Sequence, residues 1–487
     1  MRFNNKDKGF IIVLSCMILL YILPIILADR LYIDDILRSQ LGYKSWGING
    51  RPLADWVVSA LNLSIENITD LSPLPLLVAC LVFCTCSMLY FKENLQHLSY
   101  YKAAIIFFIV FANPFMLENI SYKFDVLPMV LSLSVLLLPY SFGLKNAYCT
   151  ALGSLCVLAS LSLYQASITF FCSLALLEFF LQCRNNANYT HAIGRAFNRL
   201  LQFLFGYIAY HFVAKIYIEG EYNQTHSQII DISMSGLSAA YATAKSFNDK
   251  ILSVAYEVPS FIYLILFISA VYILINAIRG IASKSLVGYL SAGILISSPI
   301  FAYLFTFVHL SVLRYPVITD RVLISFGGFL IYLMVVFYSS LKGKYVTSII
   351  LLPTILFTYV YSYTYGNALK YQKEYDIVLS QDISKIILDN DPDTKKIVKI
   401  YGTQNSSEQR TNAIRRFPSL ETLVPLYYTF GWWGTHMLKM YDIKNTVTGS
   451  NDLGSACEMH LISSGKRFFA YSDDQTILIS FERPKCN

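Results

Sequence analysis

Charge is what this sequence has least of. Only 14% of its 487 residues are charged, against roughly 25% in an ordinary soluble domain. With so few solvating side chains and a mean hydropathy of +0.50, the chain cannot be a large water-soluble globule. Several motifs are also missing. There is no Walker A loop, no dinucleotide-binding glycine set and no His-Glu-x-x-His helix. Their absence leaves no mark of P-loop, Rossmann or zincin chemistry. No internal repeat or low-complexity run is visible, which counts against a transporter built from repeats. The net charge of +7 is carried by loop lysines and arginines and forms no patch suited to nucleic acid, so no nucleic-acid partner is expected.

Cysteine is present but quiet. Cys16, Cys80, Cys84, Cys86, Cys149, Cys156, Cys172 and Cys183 lie in or beside apolar runs and read as small apolar fillers. Cys84 and Cys86 have the wrong spacing for a metal site. Cys457 and Cys486 stand in a polar tail and could form one disulfide if that tail lies outside the cytoplasm.

What is present in quantity is apolar sequence in blocks. Eleven runs, at 10–28, 73–91, 103–117, 126–143, 147–163, 166–182, 199–218, 259–278, 286–308, 320–341 and 345–363, have the length and continuity of membrane helices. Hydrocarbon cannot satisfy backbone groups, so spanning segments must be helices or a closed barrel. The near-continuous runs lack the alternation of barrel strands. The expected fold is a polytopic α-helical membrane protein of about eleven spans in a lipid bilayer. Lysine and arginine in short loops, from Arg2, Lys6 and Lys8 through Lys92, Lys102, Lys145, Arg184, Arg195, Arg199, Arg279 and Lys284 to Lys342 and Lys344, place the N-terminus inside. An odd span count then puts the C-terminus outside.

The expected division is a membrane domain over 1–364 and an extramembrane domain over 365–487. EYDIVLSQDISKIILDN has helical spacing, KKIVKIYG is a short strand, and FFAYSDDQTILISF is a hairpin around Asp473-Asp474. The tail therefore reads as a small α/β domain. The 219–257 loop should form one or two surface helices.

Candidate chemistry gathers on the outer face. The first polar loop, DRLYIDDILRSQLGYKSWGINGRPLADW, holds Asp34, Asp35, Arg38 and Arg51. Arg30, Arg38, Lys44 and Arg51 are basic residues on the side where few are expected, which suggests a use for them. A carboxylate here can act as general base on a sugar hydroxyl, and an arginine can grip a phosphate with a forked pair of donors. An acidic pair flanking a span is equally an ordinary polar helix end. In the second loop, Glu118, Tyr122 and Asp125 would share a face if a helix ran through 118–125, with Lys123 beside them. The plain reading is an interfacial loop with a Glu118–Lys123 pair of little worth.

Tyr164-Gln165 is a polar turn able to line a cavity. His309, Arg314 and Arg321 sit at the ends of two spans and could clamp phosphate. In the tail, Trp432 and Trp433 offer faces to a sugar ring, or simply pack on the membrane domain.

The residues Asp34-Asp35 with Arg38, Gly50-Arg51-Pro52-Leu53, Asn113-Pro114-Phe115 with Glu118, Tyr122, Phe124 and Asp125, and Ser162-Leu163-Tyr164-Gln165-Ala166-Ser167 resemble the bacterial serotype-converting O-antigen glucosyltransferases. That resemblance implies a GT-C-like fold in the bacterial inner membrane with a periplasmic C-terminal domain. It implies undecaprenyl-phosphate glucose as donor and an O-antigen polysaccharide of lipopolysaccharide as acceptor. Asp34 or Asp35 would be the base of an inverting hexosyltransferase, Glu118 and Asp125 would orient hydroxyls, and Arg38, Arg51, Arg314 or Arg321 would neutralise the phosphate. No cofactor is expected outright, and no clear metal-ligand set is visible. A divalent cation could be held by Asp35 with Glu118 or Asp125.

Rival readings are a transporter or flippase, which would carry charge at mid-span, and an O-antigen polymerase or ligase. A third is an envelope protein whose tail binds a partner.

Overall fold

A computed structural model describes residues 4–142, 147–186, 188–259, 262–340, 344–429, 432–450 and 453–484. In chain order it contains α1 (Asn5–Ala28), α2 (Asp35–Leu41), α3 (Pro52–Asn62), α4 (Leu74–Asn94), α5 (Tyr100–Phe111), α6 (Met116–Ser121), α7 (Val126–Ser141), α8 (Ala147–Leu163), α9 (Thr169–Asn186) and α10 (Tyr189–Tyr217). There follow α11 (Glu221–His226), α12 (Met234–Glu257), α13 (Ile262–Ala282), α14 (Leu286–Leu304), α15 (Val308–Ser311), α16 (Phe326–Ser340) and α17 (Lys344–Asn390). The remainder is β1 (Ile397–Tyr401), α18 (Glu408–Arg416), α19 (Leu420–Leu423), α20 (Trp432–Lys439), β2 (Val447–Ser450), β3 (His460–Ser464), β4 (Phe469–Ser472) and β5 (Thr476–Ser480).

Among the described residues, seven helical segments are long and apolar enough to cross a membrane. They are Asn5–Ala28, Leu74–Asn94, Gln165–Arg184, Tyr189–Tyr217, Ile262–Ala282, Leu286–Leu304 and Asp320–Ser340. This is a multi-pass membrane protein. The seven are fewer than the eleven expected from the apolar runs. Tyr100–Phe111, Val126–Ser141 and Tyr148–Leu163 are apolar but shorter, and the run at 345–363 lies within the 47-residue α17.

The chain divides into two compact units, Met1–Ile22 with Tyr43–Val360, and Leu23–Gly42 with Tyr361–Asn487. The last junction, at 360/361, lies four residues before the expected boundary at 364/365. The first polar loop, however, is shared: Asp34, Asp35 and Arg38 go with the second unit, and Trp46 and Arg51 with the first.

In the first unit, aromatic rings lock helices whose apolar surface offers little directional preference. Phe10 stacks on Phe91 at 5.0 Å, and Phe107 meets Phe10, Phe83 and Tyr90 edge-on. Within the apolar bundle, Glu178 on α9 accepts from Arg199 on α10 at 2.8 and 3.0 Å and from Arg195 at 3.0 Å. Arg199 also lies 4.1 Å over the Tyr140 ring and donates to the Pro139 carbonyl. Arg195 and Arg199 are therefore helix residues and not loop residues. α10 begins ten residues before the apolar run, because its polar first turns are partnered by a carboxylate.

The 219–257 segment forms two helices, α11 and α12. α12 buries Phe247, Ile251 and Val254 against Phe115, Phe307, Leu310 and Leu323.

The second unit is built on a five-stranded sheet of order β2-β1-β5-β4-β3. β1 runs parallel to β2 and β5, while β4 is antiparallel to β3 and β5. The hairpin at Asp473-Asp474 and the strand at 397–401 match the sequence pattern. Leu379, Ile383 and Ile387 of α17 pack with Val398, Ile400, Ile477 and Ile479, and Ile36 of α2 is buried in the same core. Cys457 is disulfide-bonded, and Cys486 lies outside the described residues.

Candidate active site

In the first unit four separate segments converge on Tyr164. The turn at 46–50 is held by Asp55, one turn into α3, whose carboxylate accepts the backbone N–H groups of Trp46 and Gly47 at 3.2 and 2.7 Å. Gly50 has φ +76°, and a Cβ there would stand 2.8 Å from the Tyr210 hydroxyl and 3.2 Å from Gln165 Nε2. Only glycine fits that left-handed, crowded position. Tyr210 donates to the Gly50 carbonyl at 3.0 Å, and Gln165 Nε2 donates to the Asn49 carbonyl and to the Tyr210 hydroxyl, both at 2.9 Å.

This anchoring aims Arg51. Its Nε donates to Gln165 Oε1 at 2.6 Å, and its guanidinium lies 4.7 Å over the Tyr164 ring. Its backbone N–H donates to the Trp46 carbonyl at 2.8 Å, and among the described residues no other side-chain hydrogen bond or ion pair engages the Arg51 guanidinium. A guanidinium fork stacked on an aromatic face is well suited to a phosphate.

The second arginine, Arg321, sits in the turn Asp320–Ser325. Its backbone N–H donates to Glu118 Oε2 at 2.7 Å, and its side chain hydrogen-bonds the Tyr122 hydroxyl and lies 5.0 Å over the Tyr122 ring. Its Nε is 3.9 Å from Glu118 Oε1. Asn119 and Tyr164 both donate to the Arg321 carbonyl, at 3.1 and 3.3 Å. Asp125 accepts from Trp46 Nε1 at 2.6 Å.

Burial raises the Glu118 carboxyl above its ordinary value; Arg321 opposes the shift and Asp320 adds to it. The Tyr164 phenol is likewise raised by burial, with Arg321 and Arg51 pulling it down and Glu118 and Asp125 pushing it up. Four charges from four segments thus act on one hydroxyl.

The 118–125 stretch is not one continuous helix. α6 stops at Ser121, Tyr122 is extended, and α7 starts at Val126. Glu118 and Tyr122 still meet at Arg321, whereas Asp125 turns to Trp46. Lys123 pairs with Asp70 at 3.2 Å and not with Glu118.

His309 lies near this group. Its Nδ1 is 3.1 Å from Thr169 Oγ1, while its Nε2 is buried with no hydrogen-bond partner. Burial pushes its pKa down to about 4, with a smaller opposing effect from the Ala166 backbone. Arg314 is exposed, its backbone bonded to Gln228 and its guanidinium 5.5 Å over Tyr315. No hydrogen bond or ion pair joins it to the cluster among the described residues.

In the second unit, Asp34 and Asp35 open the short helix α2. Asp35 is wholly buried and accepts the Tyr32 N–H at 3.1 Å, and Asp34 is half-buried. Arg38 is buried one turn on. Trp433 packs half-buried against the sheet core, and the side chain of Trp432 lies outside the described residues. The aspartates at 389, 391 and 393 have a ligand-like spacing, but Asp391 accepts from the N–H groups of Lys395 and Lys396 and from Asn445. Among the described residues no three His, Cys, Asp or Glu side chains group as a metal site.

Sequence reasoning did not single out Trp46, Asp55 and Tyr210 as site residues. Tyr210 is one of 36 tyrosines and carries no local signal. Asp55, at a fixed offset from Gly47, could have been recognised as the clasp of a turn.

The family model of the glucosyl transferase GtrII matches residues 23–332, a range that holds Asp34, Asp35, Arg51, Glu118, Tyr164 and Arg321. The chain is 28% identical over 454 residues, 91% of its own length and 92% of the other's, to an uncharacterized 55.3 kDa protein in the gtrB 5′ region of Salmonella phage P22. No solved structure matches. Given this match over most of the membrane unit, the chain belongs to the GtrII glucosyl transferase family.

Proposed function

We propose that this glucosyltransferase moves glucose from undecaprenyl-phosphate glucose to a sugar of the lipopolysaccharide O-antigen, at the periplasmic face of the bacterial inner membrane, with inversion. The observation that carries the reading is the cluster around Tyr164. There two guanidinium groups, each stacked on a tyrosine, stand among the carboxylates Glu118 and Asp125. Glycosyl transfer from a lipid phosphate needs cations for the leaving group and carboxylates for hydroxyls.

In the reaction an acceptor hydroxyl oxygen attacks the anomeric carbon from the face opposite the phosphate. The bond from that carbon to the phosphate oxygen breaks, and its electron pair leaves with undecaprenyl phosphate. The hydroxyl proton passes to a carboxylate, assigned to Asp34 or Asp35. A β-linked donor thus gives an α-linked product. Arg51 and Arg321 hold the departing phosphate, Arg38 and Arg314 being further candidates, and Glu118 and Asp125 orient hydroxyls. A divalent cation at the carboxylates would serve the same leaving group.

The test is transfer by membranes carrying Asp34→Asn, Asp35→Asn or Arg51→Gln. One of the aspartate variants should abolish product, and Arg51→Gln should lower kcat on the order of a hundredfold. Full activity in both aspartate variants would remove the assigned base.

A further inference from the structure

Five residues before Asp34 the backbone becomes unusual. Asp29 has φ +45° and Ile33 has φ +51°. A β-branched residue in the left-handed region is a genuine, strained outlier. Such a conformation persists only when its surroundings impose it. Here those surroundings come from the far end of the sequence.

The Tyr427 hydroxyl accepts the N–H of Ile33 at 3.4 Å and donates to the carbonyl of Leu31. It thereby brackets the two peptide groups on either side of Tyr32. Tyr32 donates its own hydroxyl to the Leu423 carbonyl at 3.0 Å. Arg30 donates one Nη2 to Asp376 at 2.7 Å and to the Pro425 carbonyl at 2.7 Å, and its guanidinium lies 4.2 Å over the Tyr427 ring. Asp376 is in turn fixed by Gln372 at 2.8 Å and Gln404 at 2.7 Å. Lys373 donates to the carbonyl and the carboxylate of Asp29, and Gln40 closes the far side on the His436 carbonyl at 2.9 Å.

Every one of these partners lies beyond residue 371. A segment that needed only to be tethered would not need both peptides around Tyr32 gripped, one of them supplying the N–H of the strained Ile33. The bonds to Tyr427 fall on the residues just before the acidic pair.

We infer that the C-terminal domain is part of the transfer machinery: Tyr427 and Asp376 are positioning residues that hold the Leu31–Ile33 turn in its left-handed form and so set the direction of the Asp34-Asp35 carboxylates. Tyr427 acts on the turn directly. Asp376 acts through Arg30, whose ring contact keeps Tyr427 in register. The inference rests on the assignment of Asp34 or Asp35 as base.

The experiment uses the full chain in membranes, with polyprenyl-phosphate glucose as donor and O-antigen as acceptor. Tyr427→Phe keeps the ring over Arg30 and the core packing and removes only the hydroxyl. It should lower kcat by on the order of tenfold with KM for both substrates within about twofold, as expected when an interaction is lost from the transition state alone. Asp376→Asn should act in the same direction. Hydrogen exchange of the peptide covering residues 31–36 should quicken in Tyr427→Phe. Asparagine tolerates positive φ better than isoleucine, so Ile33→Asn in the Tyr427→Phe background should restore much of kcat. A purely structural role for Tyr427 would not predict that rescue.

Unchanged kcat and exchange in Tyr427→Phe, with Asp34→Asn or Asp35→Asn inactive, would overturn the positioning role and leave the base in place. A loss of kcat with unchanged exchange and no rescue by Ile33→Asn would also overturn it. Full activity in both aspartate variants would instead overturn the base assignment, and the inference with it.

Discussion

Gly50 shows how one residue governs another's direction. Its φ of +76° and the Tyr210 hydroxyl 2.8 Å from any Cβ leave no room for a side chain. Gly50→Ala should push Gln165 and Tyr210 off the turn, free Arg51 from its Nε bond, and cost about 1–3 kcal/mol. Lower thermal stability together with a reduced transfer rate would show it, and a wild-type rate would contradict the account of Arg51.

His309 makes a second prediction, in pH. Its pKa is pushed from the ordinary 6.5 down to about 4, so the unfolded chain binds a proton between those values and the folded chain does not. By linkage the stability tied to neutral His309 is complete above about pH 6.5 and drains away as pH falls toward 4. Melting of purified protein across that window should show the loss, and His309→Gln should flatten it. A melting curve in His309→Gln as steep in pH as the parent's would contradict the assignment.

Among the elements, α9 and α10 depend on a buried pair. Glu178 and Arg199 are both buried within the apolar bundle, where an unpaired charge costs far more than an absent pair. Breaking such a pair costs about 3–5 kcal/mol, while neutralising both members is nearly harmless. Arg199→Leu leaves Glu178 only the more exposed Arg195 as partner and should therefore reduce the yield of folded protein, and adding Glu178→Gln should recover part of it. An additive loss in the double variant would contradict this.

The same elements show what a sequence discloses. The helices at 74–94, 126–141, 147–163, 262–282 and 326–340 were visible as apolar runs, because hydrocarbon forces length and continuity on a span. The α/β tail was visible for a similar reason, its strand and hairpin having local patterns. The start of α10 was not, because its first turns are polar and their partner Glu178 lies on another helix. Arg51 and Gln165 could be singled out as polar residues in short outer loops, but not the bond between them. Nor could the Arg30–Asp376 pair, whose members are 346 positions apart, or the splitting of the first loop between two compact units. Long-range pairing leaves no periodicity to read.

For the molecule as a whole, the chain is a multi-pass helical protein of the GtrII glucosyl transferase family, and the lipid-linked donor is the proposal to be tested on it. An undecaprenyl-phosphate sugar presents its phosphate at the bilayer surface, and its chain needs an apolar surround. Under the proposed function, the two cations and two carboxylates around Tyr164 would serve that polar end. A transporter would use such charges to pass a substrate on unchanged; a transferase breaks the bond between sugar and phosphate.

The most direct measurement is a transfer assay with the purified full-length protein, undecaprenyl-phosphate glucose and O-antigen, in which the polysaccharide is read by NMR for a new anomeric signal. The account predicts one new α-glucosyl branch with release of undecaprenyl phosphate. A new β-glucosyl signal would contradict inversion from a β-linked donor, and no transfer from any polyprenyl-phosphate sugar to a competent acceptor would contradict the central claim.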